Sequence, residues 1–133
     1  MAYIDVIDEC KRYQTGDTTI MANDHVTFGV EKGELAIVLG SSGAGKSTVL
    51  NILGGMDTVS EGHVVIDGND IVTYDKHGLT RYRRDDVGFV FQFYNLVQNL
   101  TAKENVELAS EIVADAMDPV EVLNMVGLSK RVN

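Results

Sequence analysis

The feature that most constrains this chain is a glycine-rich segment, GSSGAGKS, at residues 40–47. It fits the pattern G-x-x-x-x-G-K-[ST], which is typical of a phosphate-binding P-loop when a strand precedes it and a helix follows it. The run LAIVL at residues 35–39 is short and unbroken, which predicts a strand buried on both faces. From residue 46 to residue 53 the apolar positions have helical spacing, and Gly54 and Gly55 end that helix. Together, the strand, the loop and the helix predict an α/β protein.

The residue types in this loop suit the binding of ATP with Mg²⁺. Glycine tolerates the backbone angles that turn successive N–H groups toward phosphate oxygens, and a helix N-terminus adds the positive end of its dipole. Lys46 supplies a compact charge for the β- and γ-phosphates, and the Ser47 hydroxyl is a ligand for Mg²⁺. The predicted phosphate-binding residues are Gly40, Ser41, Ser42, Gly43, Ala44, Gly45, Lys46, Ser47 and Thr48.

Two rival classes of phosphate-binding protein lack their characteristic residues here. A dinucleotide-binding fold carries G-x-G-x-x-G, but the third glycine position after Gly43 and Gly45 is Thr48. The guanine-reading motif N-K-x-D of GTPases does not occur in the sequence. An ATP-binding loop is therefore the favoured interpretation.

The rest of the sequence predicts further strands, turns and short helices. Strands are predicted at residues 2–13, 18–30, 63–67 and 87–91. Helices are predicted at residues 75–84, from 102 to about 117 after a capping box formed by Thr101 and Glu104, and from Pro119 to just before Gly127. Because the N-terminal part is rich in strands joined by tight turns, we expect an antiparallel portion within the α/β fold.

Composition and charge exclude several kinds of partner and site. The net charge of −9 disfavours nucleic acid and anionic lipid, which bind basic surfaces. No apolar run approaches the ~20 residues needed to span a bilayer, and the N-terminus does not resemble a secretory signal. We therefore expect a cytosolic protein whose link to a membrane comes through a partner. Cys10 is the single cysteine and is predicted to fill space in a strand, while His25, His63 and His77 lack metal-ligand spacing.

Longer segments of the sequence match one known family nearly from end to end. These segments are KRY at 11–13, KGE at 32–34, GSSGAGKSTVLNILGGMD at 40–57, GHVVIDGNDI at 62–71, RYRRDDVGFVFQFYNLVQNLTAKENVELA at 81–109 and VGL at 126–128. They resemble the nucleotide-binding domain of ABC transporters, and most of all the bacterial lipoprotein-release and macrolide-exporter group. The resemblance implies a P-loop NTPase core with an antiparallel β-subdomain. Residues 1–133 are then expected to form the N-terminal part of one such domain.

The resemblance also implies roles for residues outside the loop. Tyr13 lies where the family has an aromatic residue that stacks on adenine, and an aromatic ring suits a flat base. Gln92 matches a glutamine that acts in catalysis together with Lys46 and approaches Mg²⁺ together with Ser47; its amide orients water and metal without adding charge. Residues 91–96 match the segment that contacts the transmembrane permease. Within that segment Phe91 is expected to be buried, and Tyr94 and Leu96 to lie nearer the partner.

Some motifs of the family are not found in these 133 residues. They are the L-S-G-G-Q signature, the apolar strand ending in Asp-Glu, and the switch histidine. The chain is therefore expected to be a truncated piece that docks ATP without hydrolysing it, because hydrolysis also needs the signature of a second ATPase subunit. We further expect the strand at residues 35–39 to have an unpaired edge, which a second copy of the chain would cover.

The resemblance implies an ATP-binding subunit on the inner face of a bacterial membrane, where it powers export or lipoprotein extraction. An ABC-type ATPase without a transport role is the alternative, and a nucleotide-binding module without catalysis is a third interpretation. The transported substrate does not follow from the sequence, because the membrane subunit selects it.

Overall fold

In the computed structural model, which describes residues 2–41, 45–91 and 95–133, the chain divides into two units, residues 1–88 and 89–133. The first unit opens with a β-hairpin of β1 (Ile4–Thr15) and β2 (Thr18–Val30). Gly16 forms the turn with φ +60°, in the left-handed region that glycine adopts without strain. This hairpin confirms the first two predicted strands.

The hairpin is part of an antiparallel sheet. Strands β3 (Glu61–Ile66) and β4 (Asn69–Asp70) complete it in the order β2-β1-β3-β4. The pairing of β1 with β2 is interrupted by register shifts after Val6, Glu9 and Lys11. The antiparallel portion predicted for the N-terminal part is therefore present.

The core of the first unit lies between this sheet and two helices. Helix α1 (Lys46–Leu53) and helix α2 (Lys76–Asp85) surround it, and a short 3-10 turn at Ile71–Thr73 closes one side. The fully buried members of the core are Val6, Ile52, Val64, Ile71 and Tyr82. Cys10 is also completely buried within β1, as predicted.

Two hydrogen bonds hold α2 to the end of α1. The Tyr82 hydroxyl donates to the Leu53 carbonyl at 2.6 Å, and the Arg83 guanidinium donates to the Gly55 carbonyl at 2.6 Å. Burial raises the pKa of Tyr82 to about 12, so the phenol stays a neutral donor at physiological pH. Gly55 has φ +76°, and a Cβ there would lie 2.9 Å from the Tyr82 ring. Glycine at this position ends α1 as predicted and lets α2 approach closely.

The strands predicted at residues 35–39 and 87–91 are absent, and those two predictions are wrong for this structure. Leu35 and Leu39 are 88% and 87% exposed, so the apolar run is not buried on either face. A strand is held by hydrogen bonds to a neighbouring strand. Within residues 2–41, 45–91 and 95–133, no segment pairs with either run.

The second unit contains two short helices, α3 (Ala102–Ser110) and α4 (Pro119–Met125). The Thr101 hydroxyl accepts from the Glu104 N–H at 3.1 Å and the Glu104 carboxylate accepts from the Thr101 N–H at 3.0 Å, which confirms the capping box. Helix α3 ends earlier than predicted. Ile112 lies on the surface beyond its end, so the residues that follow have no apolar face packed against the unit and gain little from continuing the helix.

Candidate functional site

The phosphate loop joins the exposed run at residues 35–39 to the N-terminus of α1. The structure describes Gly40, Ser41 and the residues from Gly45 onward, while the predicted contacts of Ser42, Gly43 and Ala44 lie outside the described residues. Gly45 is the N-cap of α1, with φ +86°, and it carries no side chain to cap the helix. The first turn contains no acidic residue. Its N–H groups and positive dipole end are therefore open to an anion.

Lys46 bends back across the loop. Its Nζ donates to the Gly40 carbonyl at 2.5 Å, which joins the two ends of the glycine-rich segment. The ammonium thus lies at the start of the loop and beside the helix N-terminus, where a phosphate chain would need a counter-charge. Ser47 is exposed and Thr48 is half-buried in the same first turn, and their roles stay predictions.

Gly45 lies against β2 so closely that another residue would not fit. A Cβ at Gly45 would be 2.3 Å from the Ala22 carbonyl oxygen and 2.7 Å from the Asn23 amide nitrogen. The buried Asn23 side chain donates to the Gly45 carbonyl at 3.2 Å. Asn23 was not predicted as a site residue. A polar residue within a strand is a weak signal, because nothing in its pattern shows that it reaches the loop.

Tyr13 lies near the end of β1 and is 39% exposed. Its side chain forms a cluster with those of Lys11 and Asp57. Its hydroxyl donates to Asp57 Oδ2 at 2.5 Å, and Lys11 Nζ lies 5.1 Å from the ring centroid. Lys11 donates in turn to Asp57 Oδ1 at 2.9 Å and to the Thr58 carbonyl at 2.6 Å. Asp57 thus anchors both neighbours and joins β1 to the segment that follows α1. Asp57 ends the family-like segment at residues 40–57, but its role as an acceptor depends on Tyr13, which lies 44 residues away in sequence.

The pKa directions agree with this arrangement. The pKa of Tyr13 is raised, first by the hydrogen bond to Asp57 and then by burial, while the nearby Thr48 hydroxyl acts weakly in the opposite direction. Burial would raise the pKa of Asp57, but the hydrogen bonds from Tyr13 and Lys11 outweigh it and lower that pKa. The cluster therefore holds a charged carboxylate and a neutral phenol.

A buried carboxylate also faces α1. Glu9 is 1% exposed, and neither of its oxygens has a hydrogen-bond partner among the described residues. Its side chain borders a small cavity that is otherwise lined by apolar residues of β1, β3 and α1. Burial raises its pKa, and the charge of Lys11 offsets part of that rise. The alternating pattern of β1 did not indicate that this carboxylate would be inside.

The predicted permease-contacting segment, residues 91–96, is described only at Phe91, Asn95 and Leu96. Gln92, Phe93 and Tyr94 lie outside the described residues, so the predicted roles of Gln92 and Tyr94 stay predictions. Phe91 was expected to be buried but is 49% exposed, and its ring stacks on Phe89 with centroids 5.7 Å apart. That expectation is wrong because the strand that would have buried the ring is absent. Leu96 is 62% exposed, which agrees with a residue near a surface.

Comparison with known proteins decides the family. The family model described as ABC transporter matches residues 23–133, which include the phosphate loop and the segment at 91–96. This chain belongs to the ABC transporter family.

Among its relatives, the macrolide export ATP-binding/permease protein MacB of Bradyrhizobium diazoefficiens is 42% identical over 106 residues. Those residues are 80% of this chain and 16% of that protein. An uncharacterised ABC transporter ATP-binding protein of Mycobacterium tuberculosis is 38% identical over 124 residues, which are 90% of this chain and 50% of the relative. The chain therefore spans half or less of the curated relatives it matches here.

A solved ABC cassette confirms the fold class. The ATP-binding cassette MJ0796 of Methanocaldococcus jannaschii, in a dimeric post-hydrolysis state bound to ADP and Pi, matches with a TM-score of 0.87 and 39% identity. The match covers 97% of this chain and 59% of that one. The expected P-loop core with an antiparallel β-subdomain is thereby confirmed as the fold of this ABC ATP-binding domain. In the described part of the chain, no helix is long and apolar enough to cross a membrane.

Proposed function

We propose that this protein binds ATP as the energy-supplying subunit of an ABC exporter. The triphosphate lies along residues 40–48 and the adenine lies against Tyr13. The observation that carries the proposal is the position of the Lys46 ammonium, bonded to the Gly40 carbonyl next to the uncapped N-terminus of α1. A single bound triphosphate would contact both the Lys46 ammonium and the N–H groups at the N-terminus of α1.

Two kinds of group then bind the phosphates: backbone N–H groups and the Lys46 ammonium. The N–H groups of the first turn of α1 donate hydrogen bonds to the phosphate oxygens, and the Lys46 ammonium turns from its carbonyl partner to the β- and γ-phosphates. Asn23 keeps Gly45 close to β2, which orients that first turn. The first turn of α1 is thus positioned before nucleotide arrives, and less ordering entropy opposes binding.

The Asp57 cluster prepares Tyr13 for stacking on adenine. Lys11 lies over the ring and Asp57 holds the hydroxyl, so the ring has little freedom to lose when a base stacks on it. Tyr13→Ala is expected to weaken ATP binding by about 1–3 kcal/mol, the usual effect of removing an aromatic from a base. Tyr13→Phe keeps the ring and serves as the matched control. Equal losses in both variants, measured by calorimetry, would show that the hydroxyl anchor matters and stacking does not.

The donor set of the loop also suits Mg²⁺. The exposed Ser47 hydroxyl lies in the same turn as the Lys46 ammonium, and Gln92 is the second proposed ligand. When bound, Mg²⁺ supplies charge neutralisation at the β- and γ-phosphate oxygens. Ser47 would hold that ion through its hydroxyl, and Gln92 would also orient the attacking water during hydrolysis.

For partners, we propose a transmembrane permease that contacts residues 91–96 and a second ATPase copy that closes over the nucleotide. The exposed Phe91 and Leu96 support the first contact, and the dimeric state of the solved M. jannaschii cassette supports the second. The subunit would lie at the cytoplasmic face of the membrane, and its cargo would be a drug, a peptide or a lipoprotein. Co-purification with a permease separates this function from that of an ABC ATPase without a transport role.

We also propose that the 133 residues alone bind nucleotide but do not turn it over. Neither the signature motif nor an Asp-Glu strand end occurs in them. The exposed run at residues 35–39 agrees with an apolar segment that pairs with further strands or with a second copy. Phosphate release by the pure chain that depends on Lys46 would contradict the first statement. A monomer by light scattering at high concentration would contradict pairing between copies.

The experiment that tests ATP binding compares two lysine variants by isothermal titration calorimetry with Mg-ATP. Lys46→Ala removes a charge-assisted contact of about 1.5–3 kcal/mol, so affinity should fall about 10- to 100-fold. Lys103→Ala is the control, because the Lys103 side chain pairs with Glu107 on the surface of α3, at 3.6 Å. If Lys46→Ala binds as tightly as the control, the phosphates do not lie on this loop.

A further inference from the structure

A β-bulge between β1 and β2 brings three metal-ligand side chains together. On either side of it, Glu9 pairs with Val26 and Lys11 pairs with Asn23. One residue of β1, Cys10, therefore faces two residues of β2, Asp24 and His25. A bulge of this kind re-aims the side chains of the bulged strand, and bulges are concentrated at functional sites. Asp24 and His25 are adjacent in sequence, yet both reach the position opposite Cys10.

The backbone at the bulge holds the cluster of Cys10, Asp24 and His25 in place. His25 has φ +49°, in the left-handed region that few side chains other than those of Asn, Asp and His adopt readily. The His25 N–H donates to Cys10 Sγ at 3.3 Å. This hydrogen bond fixes the Cys10 sulfur beside the backbone of His25.

The distances within the cluster approach those of a tetrahedral zinc site. One ligand atom from each residue lies within 4.8 Å of the other two, and His25 Nε2 is 3.6 Å from the Asp24 carboxylate. With zinc–sulfur bonds of about 2.3 Å and zinc–nitrogen or zinc–oxygen bonds of about 2.0 Å, tetrahedral ligands lie about 3.3–3.5 Å apart. The side chains of Asp24 and His25 are both exposed, so rotation about their χ angles can close the remaining gap.

The ligand types and the local charge select the kind of ion. A thiolate, an imidazole and a carboxylate together suit zinc and its transition-metal neighbours, whereas Ca²⁺ and Mg²⁺ prefer oxygen alone. On the other side of β1, Glu61 is the register partner of Cys10, and its carboxylate pairs with Arg12 at 2.8 Å. Since Arg12 balances Glu61, a divalent ion would neutralise the remaining charges of the Cys10 thiolate and Asp24.

We propose that Cys10 Sγ, the Asp24 carboxylate and the His25 ring bind a divalent transition metal of the zinc class, with water as the fourth ligand. The ion would link β1 to β2 at the bulge. This site differs from the predicted Mg²⁺ ligands Ser47 and Gln92. It also changes the interpretation of His25, whose sequence spacing alone had indicated no metal site.

The test is a titration of the purified full chain with Co²⁺ after chelation and in the absence of nucleotide. Co²⁺ bound by a thiolate gives an intense charge-transfer absorption, which Zn²⁺ should then abolish by displacement. His25→Gln changes an exposed side chain and should weaken Co²⁺ binding at least about tenfold, since even indirect partners of a metal site contribute that much. Cys10→Ser should remove the charge-transfer band.

His63→Gln is the matched control, because His63 is also an exposed strand histidine with a carboxylate partner, Asp70, at 2.7 Å. It should bind Co²⁺ as the unaltered chain does, and Zn²⁺ should raise the melting temperature of both. No charge-transfer band in the unaltered chain would overturn the proposal. Equal binding by His25→Gln and His63→Gln would also overturn it, and that result stands even if Cys10→Ser does not fold.

Discussion

Replacing Glu9 by glutamine should stabilise this domain, with an effect that depends on pH. Glu9 is 1% exposed, and its carboxylate oxygens have no hydrogen-bond partner among the described residues. The nearest cation, Lys11, is already engaged by Asp57 and by the Thr58 carbonyl. A buried polar group without a partner costs about 1–3 kcal/mol, and more when it is charged. Glutamine has nearly the same shape and still lacks a partner, but it carries no charge, so Glu9→Gln should remove only the extra cost of the charge and stabilise by on the order of 1 kcal/mol at pH 8.

The sign of the pH dependence follows from the raised pKa of Glu9. Burial raises the pKa of Glu9 above its ordinary value of 4.5, so above pH 4.5 the folded state binds more protons than the unfolded state. The contribution of protonated Glu9 to stability is complete below pH 4.5 and is lost as the pH rises through the folded pKa. The advantage of Glu9→Gln should therefore be smallest near pH 4.5 and should grow to a plateau at higher pH.

The assay is urea denaturation followed by circular dichroism at several pH values, with the slope against urea checked for constancy. Glu61→Gln is the control, because Arg12 lowers the pKa of Glu61 through a surface hydrogen bond, so its removal should not stabilise at pH 8. The reasoning would be refuted if Glu9→Gln had the same free energy of unfolding as the unaltered chain at pH 8. A gain in that free energy that is equal at all pH values would also refute it.

Three further predictions concern the site and the second unit. Asp57→Asn weakens the acceptor that Lys11 and Tyr13 share, and should lower the free energy of unfolding by about 1–3 kcal/mol at pH 7. Since the pKa of Asp57 is lowered in the fold, this loss of stability, measured by urea denaturation, should shrink as the pH falls through that pKa. Gly45→Ala places a Cβ 2.3 Å from a β2 carbonyl oxygen at φ +86°, so both melting temperature and ATP affinity should fall; unchanged calorimetry would contradict the close packing. Thr101→Ala removes the capping box and should cost about 1 kcal/mol, seen as lost helical circular dichroism, whereas Thr101→Ser should not.

Much of the local structure could be predicted because its causes lie within a few residues. The hairpin, the end of α1 and the capping box of α3 depend on turn and cap residues close in sequence. The runs at residues 35–39 and 87–91 were predicted to be strands but do not form strands. An apolar pattern indicates where a strand would be buried, but it does not supply the neighbouring strand that pairs with it.

The residues of the candidate site also fall into those that the sequence predicts and those that it does not. The phosphate loop could be predicted from the sequence as a motif, since its residues are contiguous and each residue type has its own chemical task, and the roles of its residues stay predictions. Asp57, Asn23 and Glu9 were missed as participants, because their partners or surroundings come from distant segments.

The amino-acid sequence by itself determined the family, the phosphate-loop motif and the positions of most helices and of the hairpin, all of which depend on short-range pattern. Only the tertiary structure decided which charged groups are buried, that one carboxylate anchors Tyr13, and that a bulge places Cys10 opposite two potential ligands. The physical reason is that burial, hydrogen-bond partners and strand register depend on chain segments that meet only after folding.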